Sequence, residues 1–158
     1  MCSQNFKKMK TKFNVLRTFM MAASIFMISC QKDSVTPASL DNTQWIFKDY
    51  QENKLPSKFQ NQATLSFKPE DQSYVVSGNS FINRYQAKLA LNKTNSVIVN
   101  ELSSTEKFGL EDDERLAEES YFDNLKHAQY VEFTDQELKI FIGEKSNPKD
   151  VMVYQRKD

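Results

Sequence analysis

The sequence predicts an α+β fold: a single domain with about eight antiparallel strands in a twisted half-barrel sheet and one helix between strands five and six. Short segments in which apolar and polar residues alternate, typical of half-buried strands, recur in 45–102 and again in 130–154. Between these regions the apolar period lengthens to three or four residues, which is typical of a helix. This order favours an antiparallel sheet with the helix covering an open face or end.

The first five strands are predicted from short apolar segments that polar turns separate. They are expected at 45–50, 63–67, 74–76, 85–91 and 97–102. Ala63, Leu65 and Phe67 show the alternation most clearly, because the residues between them are polar. Loops or turns are expected in the polar stretches between the strands, at 52–61, 68–72, 77–79 and 92–95.

The helix is predicted by apolar residues spaced four, four and three apart: Ala117, Tyr121, Leu125 and Ala128. Acidic residues at 111–114 lie where the helix would begin, and Lys126 and His127 lie where it would end, which suits the helix dipole. Three more strands are expected after it, a hairpin of 130–134 and 138–142 and a last strand at 151–154.

The N-terminal residues 1–29 have the pattern of an export signal. They contain five basic residues and no acid, and Thr18–Ser29 is a run of twelve uncharged, mostly apolar residues. As a helix this run would span about 18 Å, too short for a hydrocarbon core of about 30 Å. We therefore expect a cleaved signal peptide at 1–29, a flexible tether at 30–39 and one folded domain at 40–158.

Charge and cysteine content exclude several classes of function. Removal of residues 1–29 leaves 16 basic and 21 acidic residues, a net charge of about −5. This charge argues against nucleic-acid binding and against electrostatic attachment to anionic lipid. The chain has two cysteines, Cys2 and Cys30. Because Cys2 lies in the expected signal, the mature domain would contain no internal disulfide.

The residues Met27-Ile28-Ser29-Cys30 resemble the bacterial lipobox. That resemblance implies cleavage before Cys30 and acylation of this cysteine and its new amino group, so that a membrane would be a partner. Three acyl chains would make an effectively permanent anchor. Gln31 is not the aspartate that retains lipoproteins in the inner membrane, so outer-membrane sorting is expected, with either face open. The alternative is a plain secretory signal that ends near a cysteine.

Three stretches in the predicted domain form a recognisable series: LDNTQWIF, SGNSFINRYQAKLAL and STEKFG. Together with the acidic helix and the closing hairpin, they resemble the META (HslJ-like) domain of bacterial envelope proteins over about residues 40–156. The residues that match the family motifs are Trp45, Gly78, Asn79, Asn83, Arg84, Tyr85 and Thr105. The resemblance implies an envelope protein with a binding or stress-related role, in a family whose molecular activity is not defined.

Two positions depart from the family pattern. Ile82 and Gly109 stand where the family has cysteines. If those cysteines face each other in the family fold, Ile82 packs over Gly109 here in place of a disulfide. The folded domain would then be stabilised by packing and hydrogen bonds alone.

No catalytic, metal or cofactor site is expected from the sequence. His127 and the acids of 111–119 are interpreted as solvated helix residues, because neither has the ligand spacing of a zinc or calcium site. Asn83-Arg84-Tyr85 is the most distinctive polar group, and two interpretations stay open. Arg84 contacts a ligand or partner, or Asn83 bonds turn backbone while Arg84 pairs with a local carboxylate.

The sequence therefore predicts a non-enzymatic, lipid-anchored envelope lipoprotein with an unknown protein or lipid partner. The alternative is a carrier or pilot-type chaperone that binds acyl chains or hydrophobic segments inside the half-barrel. Its cavity would be lined by aromatic residues of the sheet, namely Trp45, Phe47, Phe67, Tyr74, Tyr85 and Phe133. A core filled by these same side chains would leave no room for such a ligand.

Overall fold

The computed structural model describes residues 40–107, 109 and 111–157. The expected signal peptide, Cys30 and the tether lie outside them. The regular elements are β1 (Gln44–Tyr50), β2 (Thr64–Glu70), β3 (Ser73–Asn79), β4 (Arg84–Leu91), β5 (Val97–Ser104), α1 (Asp112–Lys126), β6 (Ala128–Phe133), β7 (Glu137–Ile142) and β8 (Asp150–Arg156). A short 3₁₀ helix, Ser57–Phe59, lies between β1 and β2. No described helix has both the length and the apolar character needed to cross a membrane.

The eight strands form one antiparallel sheet in the order β5-β4-β3-β2-β1-β8-β7-β6. Its two edge strands approach each other, because Ser96 forms a bridge with Tyr130 and the Val131 N–H donates to the Asn95 carbonyl at 3.0 Å. The sheet is therefore a nearly closed barrel. The predicted α+β class, the eight strands and the helix between strands five and six are confirmed.

The helix covers one end of the barrel. Tyr121 and Leu125 of α1 are fully buried, and the Tyr121 ring lies 5.6 Å from that of Phe47. At the other end, buried Leu40 precedes β1, and the hydroxyl of Tyr74 at the start of β3 donates to the carboxylate of Asp41. Because the strands are antiparallel, residues 40–41 and α1 lie at opposite ends of the barrel.

Three predicted boundaries are wrong. The turn expected at 68–72 is shorter, because Glu70 pairs with Ser73 and β2 continues to Glu70. The turn expected at 77–79 belongs to β3, where Gly78 pairs with Tyr85 of β4. In both places strand pairing overrides residues that favour turns. The helix ends at Lys126, and Ala128 begins β6 instead of completing the helix face.

Candidate functional site

The side chain of Asn83 is the centre of a buried polar network. Its Oδ1 accepts hydrogen bonds from Thr105 Oγ1 at 2.7 Å and from the Lys107 N–H at 2.8 Å. Its Nδ2 donates to Glu118 Oε2 at 2.6 Å and to the Lys107 carbonyl at 3.1 Å. The carboxamide therefore uses both donors and both lone pairs to connect the start of β4 with the segment after β5 and with α1.

Glu118 supplies the negative charge of this network and is only 7% exposed. Its Oε1 accepts from the backbone N–H groups of Ile82 at 3.1 Å and Asn83 at 2.8 Å, and also from the Ser80 hydroxyl. These donors compensate for the loss of water around the carboxylate. The four residues Ser80, Asn83, Thr105 and Glu118 are called the motif network below.

The interpretation of 111–119 as a solvated face is wrong for Glu118. This residue lies three positions before Tyr121 and seven before Leu125, so it belongs to the buried face of α1. That helical spacing is the sequence signal that would have identified it. The sequence could not show its partner, because Asn83 lies 35 residues away along the chain.

The expected trio Asn83-Arg84-Tyr85 is divided between the two sides of the sheet. Asn83 and Tyr85 are buried, whereas Arg84 is exposed. The Arg84 N–H donates to Thr105 Oγ1 at 3.2 Å, and its carbonyl accepts from the Thr105 N–H at 3.0 Å. Within the described part of the chain the Arg84 guanidinium forms no ion pair, so the expected local carboxylate is not found there.

Tyr85 belongs to a chain of three buried tyrosine hydroxyls. Tyr154 Oη donates to Tyr121 Oη at 3.0 Å, Tyr121 and Tyr85 are 2.9 Å apart, and Tyr85 donates to the Thr64 carbonyl at 2.9 Å. Because the protons of Tyr154 and Tyr85 are already committed, Tyr121 donates to Tyr85. Burial raises the pKa of all three tyrosines well above the usual value of about 10, so the three hydroxyl groups are protonated and uncharged.

Gly78 is required by close packing between neighbouring strands. A Cβ atom at this position would fall on the carbonyl oxygen of Thr64 and would lie 3.2 Å from a ring carbon of Tyr85. Gly78 thereby lets the Tyr85 hydroxyl reach that same carbonyl. The family glycine serves the packing of the sheet rather than a turn.

Two further motif residues also have structural contacts. The indole of fully buried Trp45 donates to Thr43 Oγ1 at 2.8 Å. The Asn79 N–H donates to Thr64 Oγ1 at 3.0 Å, while its side chain borders a polar cleft of about 230 Å³ on the outer face of β1 and β2.

Ile82 and Gly109, the two positions at which the resemblance implies cysteines in the family, are neighbours in this fold. A Cβ on Gly109 would lie 2.6 Å from Cδ1 and 3.3 Å from Cγ1 of Ile82, so the isoleucine side chain occupies the space beside the glycine. A larger residue at 109 would have to displace it. Glu114 also lies close to this point.

The barrel interior is filled by aromatic side chains. The ring of Phe47 makes edge-to-face contacts with Tyr50, Tyr121 and Tyr154, at centroid distances of 5.1, 5.6 and 5.3 Å. The six aromatic residues expected to line a cavity are all buried members of the same core. These packed side chains therefore occupy the interior of the barrel.

An apolar cleft lies on the surface between the β1–β2 connection and α1. Its volume is about 240 Å³, and it is lined by Leu55, Pro56, Phe59, Asp113, Leu116, Ala117 and Ser120. Leu116 is 57% exposed there. The sequence predicted only a polar loop at 52–61, but its three apolar residues all line this surface, which is called the helix cleft below.

Two carboxylates hold the loop that forms one wall of the helix cleft. Buried Asp150 accepts hydrogen bonds from the N–H groups of Glu52 and Asn53, both at 3.0 Å, and from the Asn53 amide at 2.8 Å. Asp49 accepts from the Leu55 N–H at 2.9 Å. Burial alone would raise the pKa of Asp150, but these donors outweigh it and hold the pKa below its usual value.

The described residues bring together no group of three or more histidine, cysteine, aspartate or glutamate side chains that could hold a metal. His127 is exposed beyond the last residue of α1, where its Nδ1 lies 2.7 Å from the Asp123 carbonyl.

Comparison with known proteins gives one family and several similar folds. The family model described as the META domain matches residues 38–157. No curated protein matches the chain significantly. An NMR structure of a protein from Burkholderia xenovorans is 22% identical and has a TM-score of 0.59, over 79% of this chain and 90% of that one.

Two further solved structures show the same fold. One, an NMR structure whose description gives no organism, is 18% identical over 77% of this chain and 94% of that one, with a TM-score of 0.56. The other is a crystal structure of a DUF4847 family protein from Bacteroides vulgatus, 11% identical over 75% of this chain and 96% of that one, with a TM-score of 0.51.

Proposed function

The chain belongs to the META domain family, and from that premise we propose that it is a lipid-anchored, non-enzymatic protein of the bacterial cell envelope whose domain is a binding module. The observation that carries the proposal is the position of Cys30. This cysteine directly follows the apolar run Thr18–Ser29 and lies ten residues before Leu40, which is buried and is the first residue that the structure describes. A tether of that length reaches at most about 35 Å.

The hydrogen bonds of the motif residues support a binding role for the domain rather than a catalytic one. The polar groups of Asn83 and Glu118 are used in hydrogen bonds within the domain, and the Tyr85 hydroxyl is neutral and paired. A catalytic group must reach a substrate with a free donor, acceptor or nucleophile. The family motif therefore stabilises the scaffold, and recognition takes place on the surface.

The identity of residue 31, a glutamine, supports sorting to the outer membrane. Gln31 follows Cys30, where an aspartate would favour retention in the inner membrane. The acidic mature domain would not adhere to anionic lipid by itself, so attachment would depend on the acyl chains. The domain would face the periplasm or the cell surface.

The filled interior argues against the alternative of a carrier that encloses an acyl chain. Phe47, Tyr121 and Tyr154 occupy the space in which such a ligand would lie. The helix cleft, by contrast, is open to solvent and accessible to a protein partner. Binding at the surface is thus better supported than binding inside the barrel.

Metabolic labelling with radioactive palmitate tests the anchor. Wild-type protein should be labelled and should sediment with outer membranes, whereas Cys30→Ala should lose the label and leave the membrane fraction. Cys2→Ala is the matched control, because it removes the other cysteine of the chain and should be labelled like wild type. Equal labelling of wild type and Cys30→Ala would overturn the proposal.

A further inference from the structure

We propose that the helix cleft binds a segment of a partner protein in which apolar side chains alternate with basic ones. This inference rests on the proposed role as a binding module, but it does not depend on the lipid at Cys30. Four features of the cleft support it: the mostly apolar lining, the fixed conformation of the loop, the charge at the rim and the position on the barrel.

The lining of the helix cleft is mostly apolar, with Asp113 and Ser120 as its two polar residues. Leu55, Pro56 and Phe59 form one wall, and Leu116 and Ala117 of α1 form the other. A single exposed leucine on a helix is common and needs no explanation. Here the 57% exposed Leu116 borders a concave surface with four other apolar residues, which is the form of a site for an inserted side chain.

The loop wall of the cleft is already fixed before a partner arrives. Asp150 holds the backbone at Glu52 and Asn53, and Asp49 holds the backbone at Leu55. The 3₁₀ helix then presents Phe59, whose ring packs 5.3 Å from that of Phe81. A preformed wall lowers the entropy that binding must overcome.

The rim of the cleft is acidic. Residues 111–114 at the start of α1 are all acids, and Asp112 is 94% exposed. Lys58 reaches across from the loop to Glu111 at 2.8 Å and to Asp113 at 2.5 Å. Arg115 also lies 3.6 Å from Asp112, so two cations face these four acids and the rim keeps a net negative charge. Electrostatic complementarity therefore favours a basic partner.

The place of the cleft also favours a protein partner over the membrane that carries the anchor. Leu40, the first residue that the structure describes, lies at the end of the barrel opposite α1. Strands of seven or eight residues separate the two ends by roughly 20 Å. A tethered domain can thus present the cleft away from its own membrane, and the acidic rim opposes contact with anionic lipid.

Fluorescence anisotropy with a defined probe tests this proposal. The full chain in detergent micelles, which keep it in solution whether or not Cys30 is acylated, is titrated into a fluorescein-labelled peptide in which lysine and leucine alternate over seven residues. A second peptide has glutamate in place of every lysine, and empty micelles give the background. We expect saturable binding of the lysine peptide and none of the glutamate peptide.

Matched variants locate the binding surface. Leu116→Ser should weaken binding at least about tenfold, because an apolar contact of leucine size is lost. Ile98→Ser removes an equally exposed apolar residue, 63% exposed on β5, and should leave binding unchanged. Asp112→Lys should weaken binding severalfold, whereas Asp135→Lys, an exposed acid in the β6–β7 turn, should not.

Several outcomes would overturn the proposal. Binding that survives Leu116→Ser and Asp112→Lys, or that falls equally in the two controls, would remove the helix cleft as the site. Sedimentation velocity that shows dimers of wild type but monomers of Leu116→Ser would assign the cleft to a second copy of the chain. The palmitate experiment reports on the anchor alone, so either proposal can fail while the other stands.

Discussion

The motif network and the helix cleft differ in the solvent exposure of their side chains. In the network, Asn83 and Glu118 are buried and their polar atoms are hydrogen-bonded within the domain. In the cleft, Leu116 and its neighbours leave apolar atoms in contact with water. The most distinctive residues of the sequence therefore stabilise the scaffold, while an ordinary-looking loop forms a wall of the exposed apolar surface.

The physical reason for this difference is the cost of an unpaired polar group. A buried donor or acceptor without a partner costs about 1–3 kcal/mol, so the residue types of a buried network are narrowly restricted and form a motif. An apolar surface accepts many residue types of similar volume. Its members therefore leave little pattern in one sequence.

The largest loss of stability is expected from a substitution at Gly78, where the packing leaves no space for a Cβ atom. Gly78→Ala would place a methyl group on the Thr64 carbonyl and force β2 and β3 apart, so it should lower the free energy of unfolding by about 3 kcal/mol. Gly143→Ala is the control. Its Cβ would meet only the Lys149 nitrogen at 3.9 Å, although a φ of +85° strains alanine, and about 1 kcal/mol is expected.

Denaturant unfolding monitored by the fluorescence of Trp45 would compare these two glycine variants. A Gly78→Ala protein no less stable than Gly143→Ala would show that the strands separate without cost, and would remove packing as the reason for the family glycine.

The next largest effect concerns Glu118. Glu118→Ala would leave the Ile82 N–H without an acceptor and the Asn83 N–H with only the Ser80 hydroxyl at 3.1 Å, and we expect the free energy of unfolding to fall by about 2–4 kcal/mol. Its neighbour Glu119 is exposed and pairs with Arg115, so Glu119→Ala should change stability by less than about 0.5 kcal/mol. Thermal unfolding of both variants measures the difference. Similar melting temperatures would mean that the motif network contributes little.

A smaller effect is expected from the tyrosine hydroxyls. Tyr121→Phe would leave the Tyr154 hydroxyl with only the Met152 sulfur at 3.9 Å, a weak acceptor, at a cost of about 1–2 kcal/mol. The Tyr50 hydroxyl is buried without a hydrogen-bond partner among the described residues, although Ser120 and Asn124 lie near it, and burial raises the pKa of Tyr50 to about 12. Tyr50→Phe should therefore be neutral or slightly stabilising. Equal losses in calorimetry would contradict this contrast.

The sequence predicted the fold better than the site, for reasons visible in particular residues. The alternation of Ala63, Leu65 and Phe67 is a local signal, and the structure buries all three. The contact between Asn83 and Glu118 joins positions 35 residues apart, and no local pattern encodes it. The helix cleft depends on how Asp150 holds a distant loop, which composition alone could not show.

The smallest effect is a pH dependence of stability that arises at Asp150, the carboxylate that holds one wall of the helix cleft. The folded state lowers the pKa of this carboxyl below the unfolded value of about 3.9, because backbone N–H groups of the loop stabilise its charge despite burial. The unfolded chain therefore takes up this proton first as the pH falls. The stabilisation is complete above about pH 5 and is lost as the pH falls through the folded pKa.

Asp150→Asn isolates this contribution from the other carboxylates. The variant should be less stable at neutral pH, because an amide nitrogen would face donors of the loop. Its unfolding free energy should fall less steeply than that of wild type between pH 5 and the acid range. Hydrogen exchange at residues 52–55 should also quicken in the variant, since Asp150 fixes the wall of the helix cleft. Parallel pH profiles with unchanged exchange would show that the loop is held by other contacts, and that the cleft is not fixed in advance by this carboxylate.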